Sequence, residues 1–160
     1  MAYPLLGASL LALTGWLVRY DIARKTIRGT GLPRFTAFCL LSGWGWLGVA
    51  GMIWLLSPGI PAGTAYDAVV HAIFLGFTMS MVMAHAPIIL PAVLRRPLPY
   101  HAAFYLPAAL LHLSLLIRIG LGDGFGSTYA RDFGGALNVA ALIAFALIAL
   151  ATPTRQALRR

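Results

Sequence analysis

Apolar residues in this chain do not alternate with polar ones in the short pattern of a soluble core; they run on for helix lengths and stop at clusters of arginine, glycine or proline. Five such runs stand out, at about Tyr3 to Val18, Phe35 to Leu56, Ala68 to Leu94, Ala102 to Ile119 and Phe133 to Ala151. A hydrocarbon core of about 30 Å is crossed by roughly 20 predominantly apolar helical residues, and a helix satisfies its own backbone groups where no water can do so. The pattern predicts an all-α integral membrane protein: a single five-helix transmembrane bundle over residues 1–160, with short connections and no domain outside it.

Composition supports that class. Of 160 residues, 60% are hydrophobic and 10% charged, which is a membrane balance. The formal charge of +8 suggests nucleic acid, but its distribution speaks against that partner. Arg19, Arg24, Lys25, Arg28 and Arg34 lie between the first two runs, Arg95 and Arg96 follow the third, and Arg155, Arg159 and Arg160 follow the fifth. Alternate connections share one side of a membrane, and the side rich in Lys and Arg is the cytoplasm. The N-terminus is therefore expected outside and the C-terminus inside, in a multi-pass protein of a bacterial or archaeal cytoplasmic (inner) membrane. Arg118 and Arg131 fall on the outer side with Asp67, Asp123 and Asp132. The first run has no basic stretch ahead of it, so it reads as a retained helix and not a cleaved signal peptide. Cys39 lies inside the second run, and with no CxxCH in the chain, covalent attachment of a c-type haem is excluded.

The segments between and within the runs add local expectations. "GWGWLGVAG" carries Gly43, Gly45, Gly48 and Gly51, which either let a neighbouring helix approach closely or leave room for a flat cofactor. Trp44, Trp46 and Trp54 are expected to pack or to anchor at the interface. Asp67 is placed to cap the third helix. Pro87, Pro91 and Pro107 fall inside apolar runs, where each favours a kink. The glycine-rich stretch "GLGDGFGSTYARDFGG" reads as a plain connector, a flexible lid or a docking surface.

The four histidines carry the chemistry. His71 and His85 lie on the third expected helix and His101 and His112 on the fourth, and ionisable groups inside a bilayer face the bundle interior and mark function. At about 100° and 1.5 Å per residue, each helix returns its second histidine to nearly the same face, with separations of about 21 Å on the third and about 16.5 Å on the fourth. Because the two helices run antiparallel, His71 pairs in depth with His112 toward the outside, and His85 with His101 toward the inside. Two facing imidazoles are the axial ligands of a non-covalently held haem b.

A helix with H-x13-H resembles the dihaem helices of the cytochrome b family. The likeness rests on "HAIFLGFTMSMVMAH" and the bundle setting; in that family the partner helix carries the same or nearly the same spacing, whereas here it is eleven residues. "HAIFLGF" also resembles NnrS-like and haem-copper oxidase-like membrane proteins, which are longer, at about twelve helices. These resemblances imply haem or copper chemistry. Arg118 is a candidate partner for a haem propionate, and Gly76, midway between His71 and His85, for a porphyrin face. Ser80, Ser114 and Asn138 are candidates to bond between helices or to orient an imidazole.

The expected function is electron transfer across the bilayer through two bis-histidine haems, as a subunit of a larger respiratory oxidoreductase and not a complete enzyme. Quinone, a cytochrome c and other subunits are its expected partners. One alternative is a copper transporter or chaperone using Met79, Met81, Met83 and His85, since thioether and imidazole suit Cu(I). Another is a structural subunit without cofactor. Paired carboxylates, a Ser-His-Asp set and a phosphate loop are missing from the sequence, so hydrolytic chemistry lacks its parts.

Overall fold

In the computed structural model, residues 2–57, 62–95 and 100–151 are described. Arg96, Arg155, Arg159 and Arg160, four of the cations behind the expected orientation, lie outside them. Every described element is helical, and five helices are long and apolar enough to cross a membrane: Ala2–Tyr20, Gly31–Leu56, Thr64–Val93, Ala102–Gly124 and Thr128–Leu150. They are called the first to fifth helices below. A single helical turn, Ala23–Thr26, joins the first to the second.

Consecutive helices run antiparallel. Between the first and second, a Cβ on Gly7 would meet the backbone of Gly51 and Leu55, so these two helices touch backbone to backbone. Gly43, two turns away on the second helix, faces Met81 and Ser80 of the third. The glycine run therefore serves two helix neighbours on different faces, while a Cβ on Gly45 would meet open space. The second and third helices are further tied where the Thr36 hydroxyl donates to Ala84 O at 3.2 Å. The fourth and fifth pair along a line from Gly122 against Arg131, through Gly134 against Arg118, to Phe104 against Phe145.

Phe35, Trp46, Val69, Met83, Phe104, Leu111 and Leu115 form the main core between the second, third and fourth helices, with Phe145 from the fifth. The first helix stands at the edge and buries only Gly7 among its residues. The exterior is apolar as well, with Leu5, Trp16, Phe74, Ile88, Leu106 and Val139 all exposed.

Three local expectations change. The third and fourth helices each contain a π-helical stretch, Ala72–Thr78 and Leu116–Gly124. Each i→i+5 bulge inserts roughly one residue and rotates the later part of its helix by about 100° relative to an ideal one. The glycine-rich stretch is not a long loop: it is helix up to Gly124 and again from Thr128. Ser127 caps that last helix, accepting from Ala130 N at 3.3 Å, and the close fit of Gly122 against Arg131 leaves only a three-residue turn. Pro107 sits in the first turn of its α-helical segment, where its missing N–H costs little, while Pro87 and Pro91 lie inside a continuous helix. That helix ends at Arg95, whose left-handed backbone (φ 51°) turns its N–H onto Pro91 O.

Candidate functional site

The polar side chains gather where the third helix begins, the fourth ends and the fifth begins. Arg118 is central: its Nη2 lies 2.9 Å from Asp67 Oδ2 and its Nη1 donates to Arg131 O at 3.0 Å. Arg131 Nε in turn lies 3.0 Å from Asp123 Oδ1. Asp67 does not cap its helix as the sequence suggested; it is held by its own N–H on Gly63 O, and its carboxylate reaches across to the fourth helix. Arg118 is thus engaged by Asp67 and a backbone carbonyl, where a propionate partner was expected. Gly134 and Gly135 make this possible, since a Cβ on either would press on Arg118. Two atoms of the network are buried without a partner, Arg118 Nε and Asp123 Oδ2.

One turn further into the bundle, Ser114 Oγ lies 2.7 Å from Leu111 O and touches the Asn138 side-chain amide. One hydroxyl proton serves one acceptor, so the satisfiable arrangement has the Asn138 NH2 donating to Ser114 and Ser114 donating to Leu111. This is the interhelical bond expected of these two residues; Ser80 instead bonds back to Gly76 O in its own helix.

The ring hydrogen bonds divide the four histidines into two kinds. His71 Nδ1 lies 2.8 Å from Asp67 O, and His85 Nδ1 lies 2.7 Å from Met81 O. A carbonyl only accepts, so both Nδ1 atoms carry a proton, and in the neutral form of either ring the lone pair is on Nε2. The fourth helix reverses this. Trp46 Nε1 donates to His112 Nδ1 at 3.1 Å, and Ala103 N donates to His101 Nδ1 at 3.1 Å. In the neutral form of those two rings Nδ1 accepts and Nε2 carries the proton.

Position separates them further. His71 is half-buried beside Asp67, while His85 is exposed. The π-helical stretch lies wholly between them, so the single stripe expected of an ideal helix does not hold. His112 is turned onto the second helix, against Trp46 and edge-on to Phe38 at 5.8 Å between ring centroids. His101 caps the start of the fourth helix and is exposed. Among the described residues no hydrogen bond joins one histidine to another, and no group of three or more His, Cys, Asp or Glu side chains is placed to hold a metal ion.

Gly76 does not open a slot for a porphyrin: a Cβ there would overlap Trp46, which fills that space. The three methionines ahead of His85 pack inside the bundle, Met83 fully buried, Met81 half-buried against Gly43 and Met79 half-buried against the core. Sequence reasoning assigned Trp46 a packing or interfacial role and Asp67 a capping one; it did not show that Trp46 meets His112 or that Asp67 meets Arg118. Asp67 had a local signal in its i, i+4 spacing from His71; Trp46, sixty-six residues from His112, had none.

Fold and site together define an all-helical bundle with five potential membrane spans, a part-buried ion-pair network at one end and two histidines on one helix whose Nδ1 atoms face backbone carbonyls. The chain belongs to a family described as a domain of unknown function (DUF8744), which matches residues 1–154. No curated protein and no solved structure matches it.

Proposed function

We propose that the chain is a b-type cytochrome subunit of a respiratory oxidoreductase in the cytoplasmic membrane, with its N-terminus outside and its C-terminus in the cytoplasm. The observation that carries the reading is the hydrogen bonding of His71 and His85. A metal-ligating histidine characteristically donates its other ring nitrogen to a carbonyl or carboxylate, which fixes the ring and leaves the ligating lone pair free. Both residues of the H-x13-H pair meet that condition. Haem b supplies one-electron chemistry when bound; the chain supplies two imidazoles from opposite parts of one helix, His71 near its start and His85 beyond the π-helical stretch.

The reading differs from four histidines paired within one chain. His71 and His85 are the ligands, while His112 and His101 are structural. His85 is exposed, so a haem held there is covered from its other side by a neighbouring subunit, in keeping with a subunit role. No such observation favours copper, because the thioethers face the packing.

The test is the visible spectrum of the purified protein, oxidised and then dithionite-reduced. A Soret shift and a sharp α-band are expected. His71→Ala and His85→Ala are each expected to remove about half the haem, and His112→Ala to leave it in place. A colourless protein, or haem lost with His112 and kept without His71, overturns the assignment.

A further inference from the structure

At the end of the bundle opposite the ion-pair network, the chain between the first and second helices folds around an open cavity of about 740 Å³. Arg19, Arg24, Lys25 and Arg28 line it, with Asp21 as the only carboxylate. The turn brings them together. Asp21 Oδ1 accepts from Ala23 N at 2.8 Å and starts the short helix Ala23–Thr26, which folds Arg24 back so that its Nη1 donates to Arg19 O at 3.3 Å. Asp21 is therefore engaged with backbone, and none of the four cations makes an ion pair among the described residues.

Four cations around one open cavity repel one another weakly through water and together attract an anion that fits among them. The surroundings specify its kind. Trp16, Tyr20 and Ile22 stand exposed at the same level, and the Arg19 guanidinium lies over the Tyr20 ring, 5.4 Å from its centroid. Amphipathic aromatics beside cations at the end of a membrane helix mark the headgroup layer, and basic pockets at that depth bind anionic headgroups. The positive-inside rule accounts for which side the cations occupy; it does not account for a cavity they share.

We infer that this cavity is a binding site for an anionic phospholipid, its phosphate among Arg19, Arg24, Lys25 and Arg28 and its acyl chains along Tyr20 and Ile22. The inference rests on the membrane-spanning part of the proposed function and is independent of haem.

Native mass spectrometry of the full chain in detergent tests it, with phosphatidylglycerol, phosphatidylcholine of the same acyl chains, and inorganic phosphate as probes. Wild-type protein is expected to retain phosphatidylglycerol over phosphatidylcholine, and millimolar inorganic phosphate is expected not to displace it. The triple variant Arg24→Gln/Lys25→Gln/Arg28→Gln is expected to lose that preference, by about fivefold for each charge removed. Arg34→Gln, a cation outside the cavity, is expected to change nothing. Equal retention of the two lipids, or full retention by the triple variant, overturns the site; displacement by inorganic phosphate overturns the lipid as its occupant. Should the triple variant fail to fold, Lys25→Gln and Arg28→Gln singly carry the same test at about fivefold each. An absorption spectrum of the same sample keeps the two readings apart, since a colourless protein that still selects phosphatidylglycerol counts against haem alone.

Discussion

The two ends of the bundle treat their cations in opposite ways. Where the third, fourth and fifth helices meet, Arg118 and Arg131 are partly buried and each is bonded to a carboxylate. At the other end Arg19, Arg24, Lys25, Arg28 and Arg34 make no ion pair among the described residues. A charge taken out of water must be paired where it stands, whereas one open to solvent is hydrated or meets an ion from outside. The first end therefore holds helices together, and the second is open to a ligand.

The largest change is expected from Gly134→Val. A Cβ there would stand 2.8 Å from Arg118 Cβ and 2.9 Å from its N, against backbone that cannot yield, and overpacking of that kind costs about 1–3 kcal/mol or more. Unfolding in mixed micelles measures it; wild-type stability would show that the fourth and fifth helices do not need this contact. Next comes Arg118→Met, which leaves Asp67 Oδ2 and Arg131 O without their donor, at about 1–3 kcal/mol. A cycle with Asp67→Asn should show non-additive losses, and strict additivity would mean that the ion pair contributes nothing.

Trp46→Phe keeps a ring against Gly76 and removes the N–H given to His112, at about 1 kcal/mol. Haem content should stay unchanged, because His112 is no ligand in the proposed arrangement. Smallest is the triple glutamine variant at the basic cavity, expected within about 0.5 kcal/mol of wild type when no anionic lipid is present. If it costs as much as Arg118→Met, the contrast between the ends fails.

Much of the scaffold was legible. Each apolar run became a helix, and the interhelical Ser114–Asn138 bond was among the expectations. The boundaries were short where polar residues made them look like loop, as at Thr64, Gly124 and Thr128, because ion pairs across helices keep Asp67, Asp123 and Arg131 within helical segments. Of the candidate site, His71 and His85 each set Nδ1 against a carbonyl four residues back along the same helix. The surroundings of His112 and Gly76 come from another helix. Both meet Trp46, and nothing local in the sequence points from either to that residue.

The sequence by itself determined five apolar helices and their order, because helix length and apolar continuity are properties of one segment at a time. The tertiary structure alone decided that Arg118 belongs to Asp67, that His112 receives the indole N–H of Trp46, and that a π-helical stretch breaks the stripe between His71 and His85. Those outcomes depend on which faces of separate helices meet, and a side chain's protonation and partner are set by what it faces across that gap.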